Sequence, residues 1–197
     1  MLVDIYETKN KYSVIYTDPP WPQNKGGIRK CRPNQGKALD YNTMSLLDIE
    51  TLHKNFLEKN TEKKHNVFCW AIDKYLHETE AMFERMGYKL HARMVWDKGN
   101  GIAPAFTVRF SHEYLLWFYN AGNMMMPCKE TRGKYQTVIR ETSAAHSKKP
   151  AAVYQMLEAM FPGYSKIELF ARQGKTGWDY FGEECERNNL NILEDAQ

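Results

Sequence analysis

Short, almost continuously apolar runs alternate with segments of helical period along this chain, and that alternation limits the fold more than any other feature. Runs at 13–17, 66–71, 91–96, 113–119, 136–140 and 166–171 have the length of strands, and several lack the polar-out alternation of a half-solvated strand. Strands covered on both faces read that way. Between them, residues 45–59 begin with Ser45 and Asp48 in capping-box spacing and repeat apolar residues at Leu46, Ile49, Leu52 and Phe56. Residues 73–87 start at Asp73, a good N-cap, and stop at Gly87. Residues 150–163 open with Pro150, a favoured first helical residue, and close at Pro162-Gly163. Strand–helix alternation of this kind specifies an α/β architecture, a mostly parallel sheet with helices on both faces. With 197 residues the chain can bury one sizeable core, and 1–185 read as a single domain followed by a polar C-terminal tail, 186–197.

The first apolar run ends in Thr17-Asp18-Pro19-Pro20-Trp21. Proline cannot donate to a sheet ladder, so the strand stops by Pro19, and each residue before a proline is held extended. A carboxylate and a large aromatic therefore stand at the carboxyl end of a strand, where open α/β sheets bind their ligands. The sequence contains no G-x-G-x-x-G turn and no phosphate loop, which argues against the usual hydride-transfer enzymes and nucleoside triphosphatases.

Chemistry at the exocyclic amine of adenine needs no cradled phosphate. That amine is a poor nucleophile because its lone pair is delocalised into the ring, and acceptors for both of its hydrogens favour localising the pair. Asp18 offers one acceptor, and the Pro19 carbonyl, in a backbone stiffened by Pro20, offers the second. Trp21 offers a face on which an extruded base stacks. The matching methyl donor is a sulfonium, S-adenosylmethionine, and the reaction needs neither a metal nor a covalent intermediate.

Three segments follow neither period. Residues 24–37 hold Lys25, Arg29, Lys30, Arg32 and Lys37 with no acid, 97–110 carry Gly and Pro, and 120–135 mix methionines with bases. Loops of this kind around one end of a sheet make a rim for a nucleic-acid backbone, although the net charge of +3 alone argues neither way. Cys31, Cys69, Cys128 and Cys185 form no C-x-x-C pair, so neither a zinc site nor a disulfide framework is expected, and a reducing, cytoplasmic setting is. No stretch approaches the ~20 apolar residues of a bilayer span, so no membrane partner is expected.

The corner "YSVIYTDPPW" (12–21), with "YNTMSLLDI" (41–49), "MVWDKGNG" (94–101), "VRFSHEYLLWFY" (108–119) and "HSKKPAAVYQMLEAMFPGYSKIELFARQGKTGWDYFGEE" (146–184), resembles the DPPW-type adenine-N6 methyltransferases. This is the family of the messenger-RNA adenosine methyltransferase catalytic subunit and its small prokaryotic and viral relatives. The resemblance implies a Rossmann-like, S-adenosylmethionine-dependent methyltransferase fold in permuted order, with the catalytic corner first and the cofactor strand last. It makes Asp18, Pro19, Pro20 and Trp21 catalytic, gives Tyr41 a place in the base pocket, and sets Trp96 and Lys98 near the target base with His112 and Glu113 at the entry. It assigns Asp18, Ser147, Lys149, Phe170 and Arg172 to the cofactor, with Lys149 beside a helix start that suits the cofactor's carboxylate. Glu183 and Glu184 fall near the cofactor's adenosine; family members commonly carry Asn where Glu183 stands. The implied activity is methyl transfer to adenine N6 in DNA. The alternatives are RNA, or a non-catalytic nucleic-acid-binding subunit, against which the intact Asp18 and Trp21 stand. A homodimer or a partner subunit for target recognition is compatible with it.

Overall fold

The computed structural model describes residues 1–22, 42–99, 108, 110–142, 148–182 and 185. Among the described residues seven strands form one sheet: β1 (Tyr12–Thr17), β2 (Thr61–Ala71), β3 (Tyr88–Asp97), β4 (His112–Asn120), β5 (Val138–Arg140), β6 (Lys166–Leu169) and β7 (Asp179–Phe181), in the order β5-β3-β4-β2-β1-β6-β7. β1 pairs in parallel with β2 and β6, β6 with β7, and β3 with β5. Only β4 runs antiparallel to its neighbours, β2 and β3. The sheet is thus mostly parallel, as the strand–helix alternation required.

Alternate residues of the central strands feed two cores. Ile15, Val67, Cys69, Leu116 and Ile167 pack against α1 (Leu46–Asn60) and α2 (Leu76–Arg85) through Ile49, Phe56, Met82 and Phe83. Val14, Tyr16, Phe68, Trp70 and Leu115 pack on the opposite face against Val153, Met156, Leu157 and Met160 of α3 (Ala151–Met160). Each such side chain contributes roughly 1.5–3 kcal/mol on burial, which holds helices on both faces and explains the nearly unbroken apolar runs.

Local details differ from the sequence expectation for identifiable reasons. Ser45 caps α1 by accepting the Asp48 N–H at 3.1 Å, and its hydroxyl donates to the Asp48 carboxylate at 2.7 Å. Asp73 caps nothing. The Tyr75 N–H bonds the Ile72 carbonyl, winding Asp73–Tyr75 into a 3-10 turn, and α2 begins only at Leu76. Pro150 is the N-cap of α3 rather than its first residue, with an extended ψ of 135°. The run expected over 166–171 stops at Leu169, because Phe170 has a left-handed φ of 62°. β2 starts five residues before its apolar run, and its exposed residues Glu62, Lys63 and Lys64 carry no strand signal. β7, three half-buried residues long, is too short to show a period. Its outer edge is covered by the first residues of the chain, through the Val3 N–H to the Tyr180 carbonyl and the Tyr180 N–H to the Met1 carbonyl. This leaves less of the edge open to stray pairing.

The registers assemble the site. Thr17 pairs with Cys69 on one side and Leu169 on the other, and Asp97 pairs with His112. Asp18, Phe170, Lys98 and Glu113 therefore emerge at the same end of the sheet.

Candidate active site

Asp18 leaves β1 directly into the proline corner, on the α3 side of the sheet. Its Oδ1 lies 3.0 Å from Lys149 Nζ, and the same ammonium lies 2.8 Å from Glu113 Oε2. The other Glu113 oxygen takes Lys98. Two acids and two bases thus alternate in one chain, Asp18–Lys149–Glu113–Lys98, drawn from the residue after β1, the residues before α3, β4 and the residue after β3. Trp70 and Trp96 lie beneath it, edge to face with centroids 5.8 Å apart, and Lys149 and Lys98 each stand 5.1 Å from one of these rings. Trp96 is fixed from behind by its indole N–H, which donates to the Glu141 carbonyl at 2.7 Å.

Burial dominates the electrostatics at Asp18 and pushes its carboxyl above the ordinary range, with Lys149 opposing and Glu113 reinforcing the rise. Arg172 also favours the carboxylate. Glu113, also desolvated but held between two ammonium groups, falls below its ordinary value. Lys149, facing two carboxylates, rises despite its own burial. Both carboxylates touch Lys149, yet they shift in opposite directions. The geometry accounts for this, since Glu113 has a second cation in direct contact and Asp18 has none among these ion pairs. Asp18 is therefore the more easily protonated of the two.

The proline corner itself is tightly bonded. The Trp21 N–H donates to the Pro19 carbonyl at 2.8 Å, and the Met44 N–H donates to the Pro20 carbonyl at 3.0 Å. The Pro19 oxygen, expected to face an adenine amine, thus spends one of its two lone pairs inside the turn and keeps the other. Trp21 is only 4% exposed. Its indole N–H donates to the Trp70 carbonyl at 3.1 Å, and its ring stacks on Tyr75 at 5.5 Å. It belongs to the core on the α1/α2 side, not the α3 side where Asp18 meets Lys149. The open stacking platform expected at Trp21 is therefore corrected to an anchor of the corner. Trp70 and Trp96, beneath the ion chain, are buried at least as deeply, so neither offers an open face in place of Trp21.

Phe170 turns the chain away from β6 with its φ of 62°, a conformation that costs a non-glycine residue about 1–3 kcal/mol and tends to mark functional sites. Its ring rests on His53 and Phe181. Just beyond it, Gly182 approaches the Ala171 carbonyl so closely that a Cβ would stand 2.1 Å from the oxygen, and Ala171 N–H bonds the Phe181 carbonyl at 2.8 Å. The exits of β6 and β7 are therefore locked together beside Asp18.

These residues suit the amino-acid end of S-adenosylmethionine. An amino-acid zwitterion would have an acid for its ammonium in Asp18 and a base for its carboxylate in Lys149, which are already paired with each other. The helix-end anion site expected beside Lys149 is, however, occupied. The Glu141 carboxylate accepts the N–H groups of Ala151 and Ala152 at 2.8 and 3.0 Å, so the N-terminus of α3 is satisfied by the chain itself.

The structure brings together Asp18, Pro19, Pro20, Trp96, Lys98, Glu113 and Lys149, with Arg172 close enough to act on Asp18 electrostatically. It separates His112 from Glu113. Neighbours on a strand face opposite ways, so His112 stacks edge-on against Tyr114 at 5.0 Å on the α1/α2 side. Tyr41, Lys25, Arg29, Lys30, Arg32, Ser147, Glu183 and Glu184 lie outside the described residues. Sequence reasoning missed Trp70, Glu141 and His53. The only sequence signal for Trp70 was its position near the end of an apolar run, which equally describes a core residue. Among the described residues no three His, Cys, Asp or Glu side chains gather as a metal ion would need, and no helix is long and apolar enough to cross a membrane.

The model of the family described as MT-A70 matches residues 12–184, from the start of β1 to just past β7. The chain belongs to the MT-A70 family. The chain is 28% identical over 200 residues to the type II methyltransferase M.MunI of a Mycoplasma species, an alignment covering 93% of this chain and 82% of that protein. It is also 28% identical over 182 residues to a putative N(6)-adenosine-methyltransferase MT-A70-like protein of Medicago truncatula and 26% identical over 169 residues to an MT-A70-like counterpart of Drosophila melanogaster. Those two alignments cover 88% and 82% of this chain but only 26% and 24% of the longer proteins.

Proposed function

We propose that this MT-A70 chain transfers a methyl group from S-adenosylmethionine to the exocyclic N6 amine of adenine in DNA. The observation that carries the reading is Asp18 at the exit of β1, desolvated yet paired with Lys149. A carboxylate has about four lone-pair sites, enough for Lys149, an ammonium of the donor and one N6 hydrogen of the acceptor. The donor, when bound, supplies an electrophilic methyl on a sulfonium. Asp18 and the remaining lone pair of Pro19 accept the amine hydrogens and favour an available nitrogen lone pair. The nitrogen gains the methyl and sheds a proton, for which the Asp18 carboxylate is the acceptor at hand. Lys98, standing on the buried Trp96 ring, borders the position of the base, and Phe170 and Arg172 border that of the donor. In chain order the corner strand then comes first and the donor strand, β6, near the end, which is the permuted arrangement.

DNA is favoured by the relative whose length this chain nearly spans, M.MunI, a type II methyltransferase. RNA is the second reading, because the plant and insect relatives are named as adenosine methyltransferases. A radiolabelled methyl-transfer assay on single- and double-stranded DNA and on RNA, followed by nucleoside analysis, tests both. Label in N6-methyldeoxyadenosine is expected; label confined to RNA reverses the choice, and none on any adenine overturns the activity. The basic segment 24–37 is read as a contact for phosphates. Three to five contacts on a single strand would give log affinity against log salt a slope between about −2 and −3.5, at about −0.7 per contact. Replacing Arg29, Lys30 and Arg32 with alanine should flatten it by up to about 2.

A further inference from the structure

His53, on α1, has no exposed surface and takes no part in the ion chain of the site. Its Nδ1 lies 2.7 Å from the Ile49 carbonyl and its Nε2 lies 3.0 Å from the Thr17 hydroxyl. A carbonyl only accepts, so Nδ1 carries the ring proton. In the neutral ring Nε2 then has a free lone pair, and Thr17 donates to it. Burial keeps the ring neutral by pushing its pKa down to about 4. The same ring lies 5.9 Å from Phe170, tilted by 41°, and 5.8 Å from Phe83.

Thr17 is the last residue of β1 and precedes Asp18; Phe170 is the strained residue that leaves the neighbouring strand, β6. One imidazole on α1 therefore touches both strand exits that frame the site, from the face opposite the ion chain. Helix α1 is also tied to the corner near its start, where the Met44 N–H meets the Pro20 carbonyl. We infer that His53 is a positioning residue: through the Thr17 hydroxyl it sets the Asp18 carboxylate, and through its ring it holds Phe170 in its left-handed turn. The inference rests on the methyl-transfer reading given above, in which Asp18 faces the amine and Phe170 the donor.

The two halves of the clamp separate by substitution. His53→Phe keeps a ring behind Phe170 but offers Thr17 no acceptor. His53→Gln keeps an acceptor for Thr17 but removes the ring. Thr17→Val removes the donor at nearly constant volume and is mild enough to carry the hydrogen-bond half if His53→Phe does not fold. For His53→Phe and Thr17→Val we expect kcat to fall by about ten- to 100-fold, since a carboxylate displaced by an ångström costs about that much. KM for the nucleic acid should stay near its wild-type value, and the dissociation constant for S-adenosylhomocysteine, read by calorimetry, should rise far less than kcat falls, because Asp18 meets only the ammonium of the donor. The double variant should lose no more than either single one. His53→Gln should show the reverse, with kcat largely kept and S-adenosylhomocysteine bound several-fold more weakly. Unchanged kcat in Thr17→Val, independent multiplying losses in the double variant, or equal damage to kcat and affinity in all variants overturns the inference. If the wild-type chain methylates no adenine, the proposed activity has failed instead. The affinity split between His53→Gln and His53→Phe then still decides whether the ring holds Phe170.

Discussion

Lys149 Nζ lies 3.0 Å from Asp18 Oδ1 and so ties the exit of β1 to the residues that lead into α3. The contact changes how each partner reads. Asp18 alone would be a desolvated acid drifting towards its neutral form, which accepts hydrogen bonds poorly. Lys149 alone would be a cation waiting for an anion. Paired, and with Glu113 on the far side of the ammonium, they form a largely buried array in which each charge has a partner.

Lys149→Met should destabilise the protein by about 3 kcal/mol or more, the usual result of removing one member of a buried pair. It should also move the acid limb of the rate profile upwards. Lys149 is the main force lowering the Asp18 pKa, so without it Asp18 takes up its proton at higher pH. Lys149→Arg keeps the charge and should keep the limb near its wild-type position. Denaturant titration and pH–rate profiles for the three proteins check both effects.

Asp18→Asn removes the charge but not the volume. An amide can turn only one oxygen to the amine and presents a donor as well, so turnover should fall by about 100-fold or more. Binding of S-adenosylhomocysteine should weaken only several-fold, since it loses the Asp18 charge opposite its ammonium while its carboxylate still finds Lys149. Turnover near wild type would remove Asp18 from the chemistry.

Trp21 should behave as an anchor. Trp21→Ala deletes a buried ring and should cost about 3–5 kcal/mol of stability. Trp21→Phe keeps much of the stacking on Tyr75 and leaves the Trp70 carbonyl without its indole donor, a loss of about 1 kcal/mol. Equal stability of wild type and Trp21→Ala, with loss of substrate affinity alone, would return Trp21 to the role of an open platform.

Much of this was legible in the sequence. Most of the strands announced themselves because burial on both faces makes long stretches of them apolar, and the Pro-Pro corner fixed where β1 ends. Asp18, Lys149, Glu113 and Lys98 were each singled out, but their linkage into one chain depends on the registers of β1 against β2, β2 against β4 and β4 against β3, which no local pattern encodes. His112 was misgrouped with Glu113 because adjacency in sequence is opposition across a strand. Trp21 was misread because its direction is set by a hydrogen bond to Trp70 and a stack on Tyr75, both about fifty residues away in the chain. The occupied N-terminus of α3 could not be foreseen either, since Glu141 reaches it from the end of β5.

Glu168, on β6 and 7% exposed, carries the last prediction. It accepts the Tyr154 hydroxyl at 2.8 Å on the α3 side, and burial raises its pKa from 4.5 to about 7, with Asp18 adding to the rise while Tyr154, Lys175 and Lys149 oppose it. The folded protein thus holds a proton there between about pH 4.5 and 7 that the unfolded chain releases. Stability from this group is present below pH 4.5, declines as the pH rises to 7, and is constant above that. At about 1.4 kcal/mol per pH unit the decline amounts to about 3 kcal/mol at most. Glu168→Gln keeps an oxygen for Tyr154 and has nothing to titrate. Its stability relative to wild type should therefore be more favourable at pH 8 than at pH 5, by up to that amount. His53, whose pKa is lowered, titrates with the opposite sign in a window from about 6.5 down to about 4, but it is common to both proteins and drops out of the difference. Urea titrations of both proteins at the two pH values measure it, and a difference independent of pH would show that Glu168 is ionised in the folded protein at ordinary acidity.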